Sequence, residues 1–431
     1  MRIEKRVKCV LLAVLACAAF LFLAEHFFCD RWGLQQYDSM WTKWQLDSEE
    51  WVVEKVIDAR INGIGNYNGM MVEYQQQIGF AGMLFSVVDK LVDHNAEFTD
   101  PIPKDVMAGL NVLIFSALFF VLLYWLYRES GLWTAGVVYV TLLFTNWTAY
   151  SVRNIYWVTW TMLLPMIALL ALMMWEQRYG KQKDVWLFAL SFGTIFLRSA
   201  CGYEFISCVM VALELPLIYY AVKEAWELRL YLKRALIAGI GAITGFLGAL
   251  FVNLALMAGL RGWKEAVEYM IFISARRTGY VTLDSFDPDV IEAFDMPLFD
   301  VFKLYWGGDG DVPLFGSSYH LSLLIPLFFI PALLMLTALL VKEKKRRGAT
   351  GLRFQMETEE RKTLGMILVM MVSFLGPASW LVLAKGHAVH HPHIDYIIFC
   401  LPFTMMGFAA LAQIVKYQAM QARDRYAEKK K

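Results

Sequence analysis

The sequence predicts an all-α integral membrane protein with about ten transmembrane helices and interfacial helices in a large first outer loop. Three observations carry that prediction. Of 431 residues, 58% are hydrophobic and only 18% charged, against about 45–50% and about 25% in soluble domains. Mean hydropathy is +0.47. Apolar runs long enough to cross about 30 Å of hydrocarbon, roughly 17–25 residues each, recur along the whole chain. The net charge of +1 says nothing about nucleic acid, and no basic tract interleaved with aromatics suggests binding to it.

The basic start, MRIEKRVK, leads into an apolar run over 9–28. A secretory signal has this order too, but here the run ends in bulky Phe27-Phe28 and lacks a small-residue cleavage site, which predicts an uncleaved first helix. Nine further runs follow at 108–127, 132–150, 156–175, 185–200, 203–222, 235–260, 319–341, 364–385 and 396–417. The 203–222 run carries Glu204 and Glu214 and is expected to face protein rather than lipid.

Charge sets the expected orientation. With the amino terminus inside, 26 of the 40 Lys and Arg fall on the cytoplasmic side, although the two longest loops lie outside. The short loops, where the positive-inside rule holds best, agree: KEKKRR in the basic loop 342–363 and the KKK end are both cytoplasmic. The expected location is therefore a bacterial inner membrane, with both termini in the cytoplasm and the active site on the outer, periplasmic face. Two large outer loops follow, 28–107 and 261–318. The first has apolar residues at helical spacing (Trp51, Val52, Val56, Ile57) and the second has Trp263, Tyr269, Phe272 and Ile273, as interfacial amphipathic helices require. With no internal repeat and no low-complexity linker, residues 1–431 read as a single membrane-embedded unit. Most of the six cysteines fall in apolar runs and none forms a CxxC pair. That argues against a disulfide framework or cysteine metal site, leaving Cys29 with Cys201 as the one pairing still open.

Three groups of residues stand out chemically. Four of the seven histidines, His387, His390, His391 and His393, fall in the loop KGHAVHHPHIDY with Lys385 and Asp395. Imidazoles are metal ligands when neutral and donors to anions when protonated, so this loop fits either a divalent metal or a phosphate-bearing substrate, against the plain alternative of a polar loop. Second are the arginines Arg153, Arg198, Arg276 and Arg277 near the outer face. A guanidinium at the hydrocarbon edge is costly, and its planar fork suits phosphate oxygens. The plain alternative is an internal ion pair, such as Arg198 with Glu204. Third are Asp30 and Asp38, just after the first helix, either of which suits a general base acting on an acceptor hydroxyl or amine.

The layout resembles the GT-C superfamily of membrane glycosyltransferases: one helix, a large outer loop, then a dense helical core with short connections. The segments YQQQIGFAGMLFS (74–86), RNIYWVTWTMLLPM (153–166) and KGHAVHHPHIDYIIFCLPF (385–403) look similar to bacterial members. The resemblance implies a polyprenyl-phosphate-linked sugar as donor and a glycan, lipid or protein as acceptor. It implies Asp30 or Asp38 as the catalytic carboxylate, Arg153, Arg198, Arg276, Arg277 and Lys385 on the donor phosphate, and the histidine loop with Asp395 closing over substrate. No nucleotide-binding glycine motif is present, as expected where the sugar arrives on a lipid. A multi-pass transporter or flippase, a polysaccharide polymerase or ligase, and a metal-dependent membrane enzyme built on the histidine loop remain open.

The orientation is directly testable. In a background with the six native cysteines replaced, Lys345→Cys and Lys430→Cys are expected to react with an impermeant maleimide only from the cytoplasmic side, and Tyr280→Cys only from the outside. Labelling of Lys345→Cys from outside would invert the assignment.

Overall fold

A computed structural model describes residues 2–29, 41–63, 77–92, 103–283, 286, 288–307, 312–314, 317–350 and 356–430. Asp30 and Asp38 lie outside the described residues, as does the side chain of His393.

The chain opens with α1 (Arg2–Cys29), then α2 (Trp41–Asn62) and α3 (Phe80–Val92) in the first loop. On α2, Val52 and Val56 are buried, whereas Ile57 faces outward, so its apolar face is narrower than the spacing alone suggested. α3 packs closely on α2, since a Cβ on Gly82 would lie 2.6 Å from Lys55 Cγ. Arg60 also grips the buried Asp89 with two bonds of 2.5 and 2.7 Å.

α4 (Lys104–Ser130) is followed by α5 (Leu132–Leu143) and α6 (Asn146–Arg153). The expected single crossing over 132–150 is thus broken. Thr145 is extended, its hydroxyl bonding Thr141 O at 2.8 Å, an alternative to continued helix that Thr and Asn favour. α7 (Trp160–Tyr179), α8 (Asp184–Cys201), α9 (Ile206–Lys223) and α10 (Leu228–Arg261) form the centre of the bundle. The second loop holds α11 (Trp263–Thr278), α12 (Pro288–Phe294) and α13 (Leu298–Gly307), then a short antiparallel hairpin of β1 (Val312–Leu314) and β2 (Ser317–Tyr319). That short hairpin leaves the chain all-α in class. α14 (Leu321–Thr350), α15 (Thr358–Ser373), α16 (Leu375–Leu383), α17 (Lys385–His390) and α18 (Pro392–Asp395) follow. A π-helical turn (Phe399–Thr404) then leads into α19 (Met405–Lys429).

Among the described residues, eight helical segments are long and apolar enough to cross a bilayer. Two shorter apolar helices, Ala13–Cys29 and Leu132–Leu143, occupy the positions of the other two expected crossings. The protein is a multi-pass helical membrane protein, and its association with the lipid bilayer follows from these segments. Cys29 and Cys201 are free thiols, so the pairing left open by the sequence is not made.

The two ends of the bundle differ in charge handling. At one end Arg234, fully buried, holds Glu176 with two bonds of 2.7 and 2.8 Å. There too Lys223 pairs with Glu129 at 2.7 Å and Arg346 with Glu360 at 2.5 Å. The other end gathers α2, α11, α17, α18 and the connections before α7 and α9. α4 shows the polarity, running from Lys104, 3.7 Å from Glu49, to Glu129 beside Lys223.

Inside the bilayer, lipid offers no hydrophobic drive for helix association, so close backbone approach has to supply it. α10 presents Gly241 and Gly245 to α8. A Cβ on Gly241 would lie 2.8 Å from Phe188 O, and one on Gly245 would be 3.1 Å from Phe196 N. Gly245→Leu is therefore expected to cost about 1–3 kcal/mol through overpacking and to lower the thermal midpoint in detergent. Gly239→Leu, where nothing lies within 4 Å, should leave it unchanged. Equal effects of the two substitutions would remove the α8–α10 seam as a stabilising contact.

Candidate functional site

The site is built on irregular backbone between α6 and α7. Asn154 turns its Oδ1 back onto Trp157 N at 2.7 Å, and Asn111 donates to Asn154 O at 3.0 Å while accepting from Trp160 Nε1 at 3.1 Å. Thr159 Oγ1 closes the turn on Ser151 O at 2.7 Å. The bonds that hold this turn all come from protein groups, as non-helical backbone near a membrane requires. The network aims Tyr156 and Trp157 at a shared cavity.

Arg198, at the end of α8, braces the same turn from behind. It is 1% exposed and donates to Trp157 O at 2.9 Å, Thr161 Oγ1 at 3.1 Å and Glu204 O at 2.9 Å. In the connection between α8 and α9, the Glu204 carboxylate lies 3.9 Å from Arg198 and accepts from Arg277 at 2.7 Å. Burial pushes the Glu204 carboxyl up, but Arg277 and then Arg198 pull it further down, so it is held below its ordinary value. This one carboxylate fastens α11 to the bundle.

A second fastening joins α11 to α17. α11 ends at Gly279, with φ +67° and its N–H on Ala275 O at 2.9 Å, the left-handed cap that glycine adopts most easily. A Cβ there would stand 2.8 Å from Gly386 N, so both glycines are needed for the approach. Lys385 beside them is buried, its Nζ donating to Phe294 O and, at 3.3 Å, to Met296 O. α17 and α18 then fold His387 onto Asp395, which is fully buried and accepts from Trp380 Nε1 at 2.7 Å. His387 Nδ1 lies 3.1 and 3.2 Å from the two Asp395 oxygens.

These elements enclose a cavity of about 420 Å³. Trp51, Tyr156, Trp157 and Phe205 form its aromatic wall; Arg276, Arg277, His387, His390, His391 and Glu204 form its polar wall. Arg276 is exposed, with no carboxylate partner among the described residues. Burial, then the charges of Arg276 and His387, hold the His390 imidazole below its ordinary value. Arg198 and Arg277 thus share one carboxylate, and Arg276 adds a further guanidinium to the cavity wall. That surplus, beside edge-to-face aromatics, suits an anionic ligand with an apolar or ring-bearing part.

Of the residues singled out in the sequence, Arg276, Arg277, His387, His390 and His391 line the cavity, and Asp395 stands directly behind His387. Arg198 lies behind the wall and Lys385 is turned to backbone carbonyls, so both position the site without facing it. Arg153 is absent from the lining and places its charge near Glu49. Among the described residues, no three His, Cys, Asp or Glu side chains are grouped to hold a metal ion. The pairing of Arg198 with Glu204 offered by the sequence is made, with Arg277 as a further partner; sequence reasoning missed Glu49 and Trp380. Glu49 adjoins the cavity residues Ser48 and Trp51 and accepts from Ile155 N at 3.1 Å. Burial lifts its carboxyl above the ordinary value despite Ile155 N–H, Lys104 and Arg153. The only sequence signal for it was its place on an amphipathic helix.

Comparison with family models, with curated proteins and with solved structures finds no match. What fold and cavity define together is a multi-pass helical membrane protein with a cationic, aromatic-walled cavity at one end.

The pairing of Glu204 has a measurable pH signature. Because the folded carboxyl is held below 4.5, its ionised form contributes stability that is fully present above pH 4.5 and lost as pH falls through the lower folded value. Glu204→Gln leaves Arg198 buried without its counter-charge and is expected to cost about 3–5 kcal/mol at neutral pH. The difference in thermal midpoint between wild type and variant should narrow on acidification below pH 4.5. A gap that is independent of pH would rule out the ionised pair.

Proposed function

We propose that this chain is a glycosyltransferase of GT-C type. In this reading it works on the outer face of a bacterial inner membrane, moving a sugar from a polyprenyl-phosphate or -diphosphate carrier to a glycan, lipid or protein acceptor. The single observation that carries the reading is the cavity in which Arg276, Arg277 and three histidines meet an aromatic wall at one end of the membrane helices. Guanidiniums suit the oxygens of a carrier phosphate, and the aromatic faces suit a sugar ring or the first isoprenes.

The chemistry follows from charge. When the bond between sugar and carrier breaks, negative charge builds on the departing phosphate. Fixed cations in a partly dry site stabilise that charge without having to reorganise, often the largest single contribution to rate. A carboxylate, Asp30 or Asp38, takes the proton from the acceptor in this proposal, and attack opposite the leaving group inverts the anomeric centre. The meeting of Arg276, Arg277 and three histidines on one cavity at one end of the bundle favours this reading over a transporter. Both termini are placed in the cytoplasm by the same proposal, in keeping with the lysine and arginine distribution.

Purified protein in lipid, assayed with a panel of polyprenyl-phosphate and -diphosphate sugars, is expected to transfer from at least one donor. Arg276→Ala should lower kcat/KM by about a hundredfold, the usual effect of removing one charge-stabilising donor. Asp30→Asn should abolish transfer while donor binding persists; if transfer survives, the base moves to Asp38. Neither transfer nor binding with any donor would sink the proposal and put a transporter ahead.

A further inference from the structure

Resting on the glycosyltransferase reading, we infer that His387 is a general acid that protonates the departing phosphate, with Asp395 and Trp380 as its positioning residues. Asp395 lies at the bottom of the site, 0% exposed, one oxygen taking the Trp380 indole N–H at 2.7 Å. His387 Nδ1 faces the same carboxylate at 3.1 and 3.2 Å. A carboxylate can only accept, so Nδ1 carries a hydrogen, and the ring edge bearing Nε2 is the one left for chemistry. No described residue bonds Nε2, and His387 lines the cavity. Edge-on packing of Phe205 and Trp380, with ring centroids 6.2 and 5.5 Å away, fixes the plane of the imidazole.

The groups facing the ring carry both signs of charge. Asp395 backs it, and the Glu204 charge also reaches it. Arg277 and Arg198 are both tied to Glu204, His390 and His391 stand alongside on α17 and just after it, and Arg276 approaches from α11. Glu204, clasped by two arginines, is poorly placed to trade protons. With Nδ1–H held on Asp395, the second proton of a protonated His387 sits on Nε2, which no described residue bonds.

The step balances. The bond from the anomeric carbon to the carrier oxygen breaks, its electron pair remaining on the phosphate, while the acceptor oxygen bonds to that carbon. The Nε2 proton passes to a phosphate oxygen, and the acceptor proton passes to the carboxylate base. Water later returns one proton to His387 and removes one from the carboxylate.

The test uses the full chain in lipid nanodiscs and the best donor of the panel. His387→Ala is expected to lower kcat by about 10²–10⁴-fold, with donor affinity nearly unchanged and part of the activity restored by added imidazole. Asp395→Asn should lose about as much, because its amide can donate to Nδ1 and trap the wrong tautomer, and imidazole should not restore it. If His387→Ala keeps wild-type kcat, or its loss is untouched by imidazole, the general acid is overturned while the glycosyltransferase reading stands. If wild type transfers nothing, that reading falls. The dyad is then judged alone, by nitrogen NMR of labelled histidine with farnesyl phosphate as probe. A shift of the Nε2 resonance that His387→Gln removes would keep the phosphate contact, and an unmoved resonance would overturn it.

Discussion

The contact on which the site depends is the Glu204 carboxylate held between Arg277 and the buried Arg198. Buried charge is costly, and a buried pair repays that cost only when its geometry is good and its other polar atoms are satisfied. Arg198 meets the second condition in large part through Trp157 O, Thr161 and Glu204 O. The same cluster joins three parts of the chain: the turn before α7, the connection into α9, and the end of α11. Were Glu204 neutral, α11 would lose its strongest link to the bundle, and Arg276 would lose its fixed place beside the histidines.

Around that cluster, polar groups are matched according to depth. Deep in the wall, Arg198, Lys385 and Asp395 face protein partners, because an unmatched charge there would be prohibitive. At the cavity surface, Arg276 and the open edge of His387 lack hydrogen-bond partners among the described residues, and there a ligand can complete them. A glycine contact, Gly279 against Gly386, sets the distance between the arginine-bearing and histidine-bearing elements. Its geometry depends on the absence of two Cβ atoms, not on any polar bond.

The opposite end of the bundle follows a different rule. Arg234 with Glu176, Lys223 with Glu129, and Arg346 with Glu360 are matched pairs that close the helix ends. The capping box of Glu357 and Glu360 seals the start of α15 in the same way.

By itself the sequence determined the membrane class and the approximate position of each long helix, because apolar length is a local property that the bilayer reads directly. It also singled out the histidine loop and Arg276-Arg277, because unusual density of one residue type survives any packing. It did not show the break at Thr145, where a local side-chain bond outweighs helix continuation. Nor did it show which cations face the cavity and which brace it: Arg198 and Lys385 looked equivalent to Arg276 in sequence. That choice belongs to the tertiary structure, since the partners lie far apart in the chain, Glu204 and Arg277 by 73 residues and Lys385 and Phe294 by 91. Side-chain direction follows from which helices meet, and no local pattern of residues carries that information.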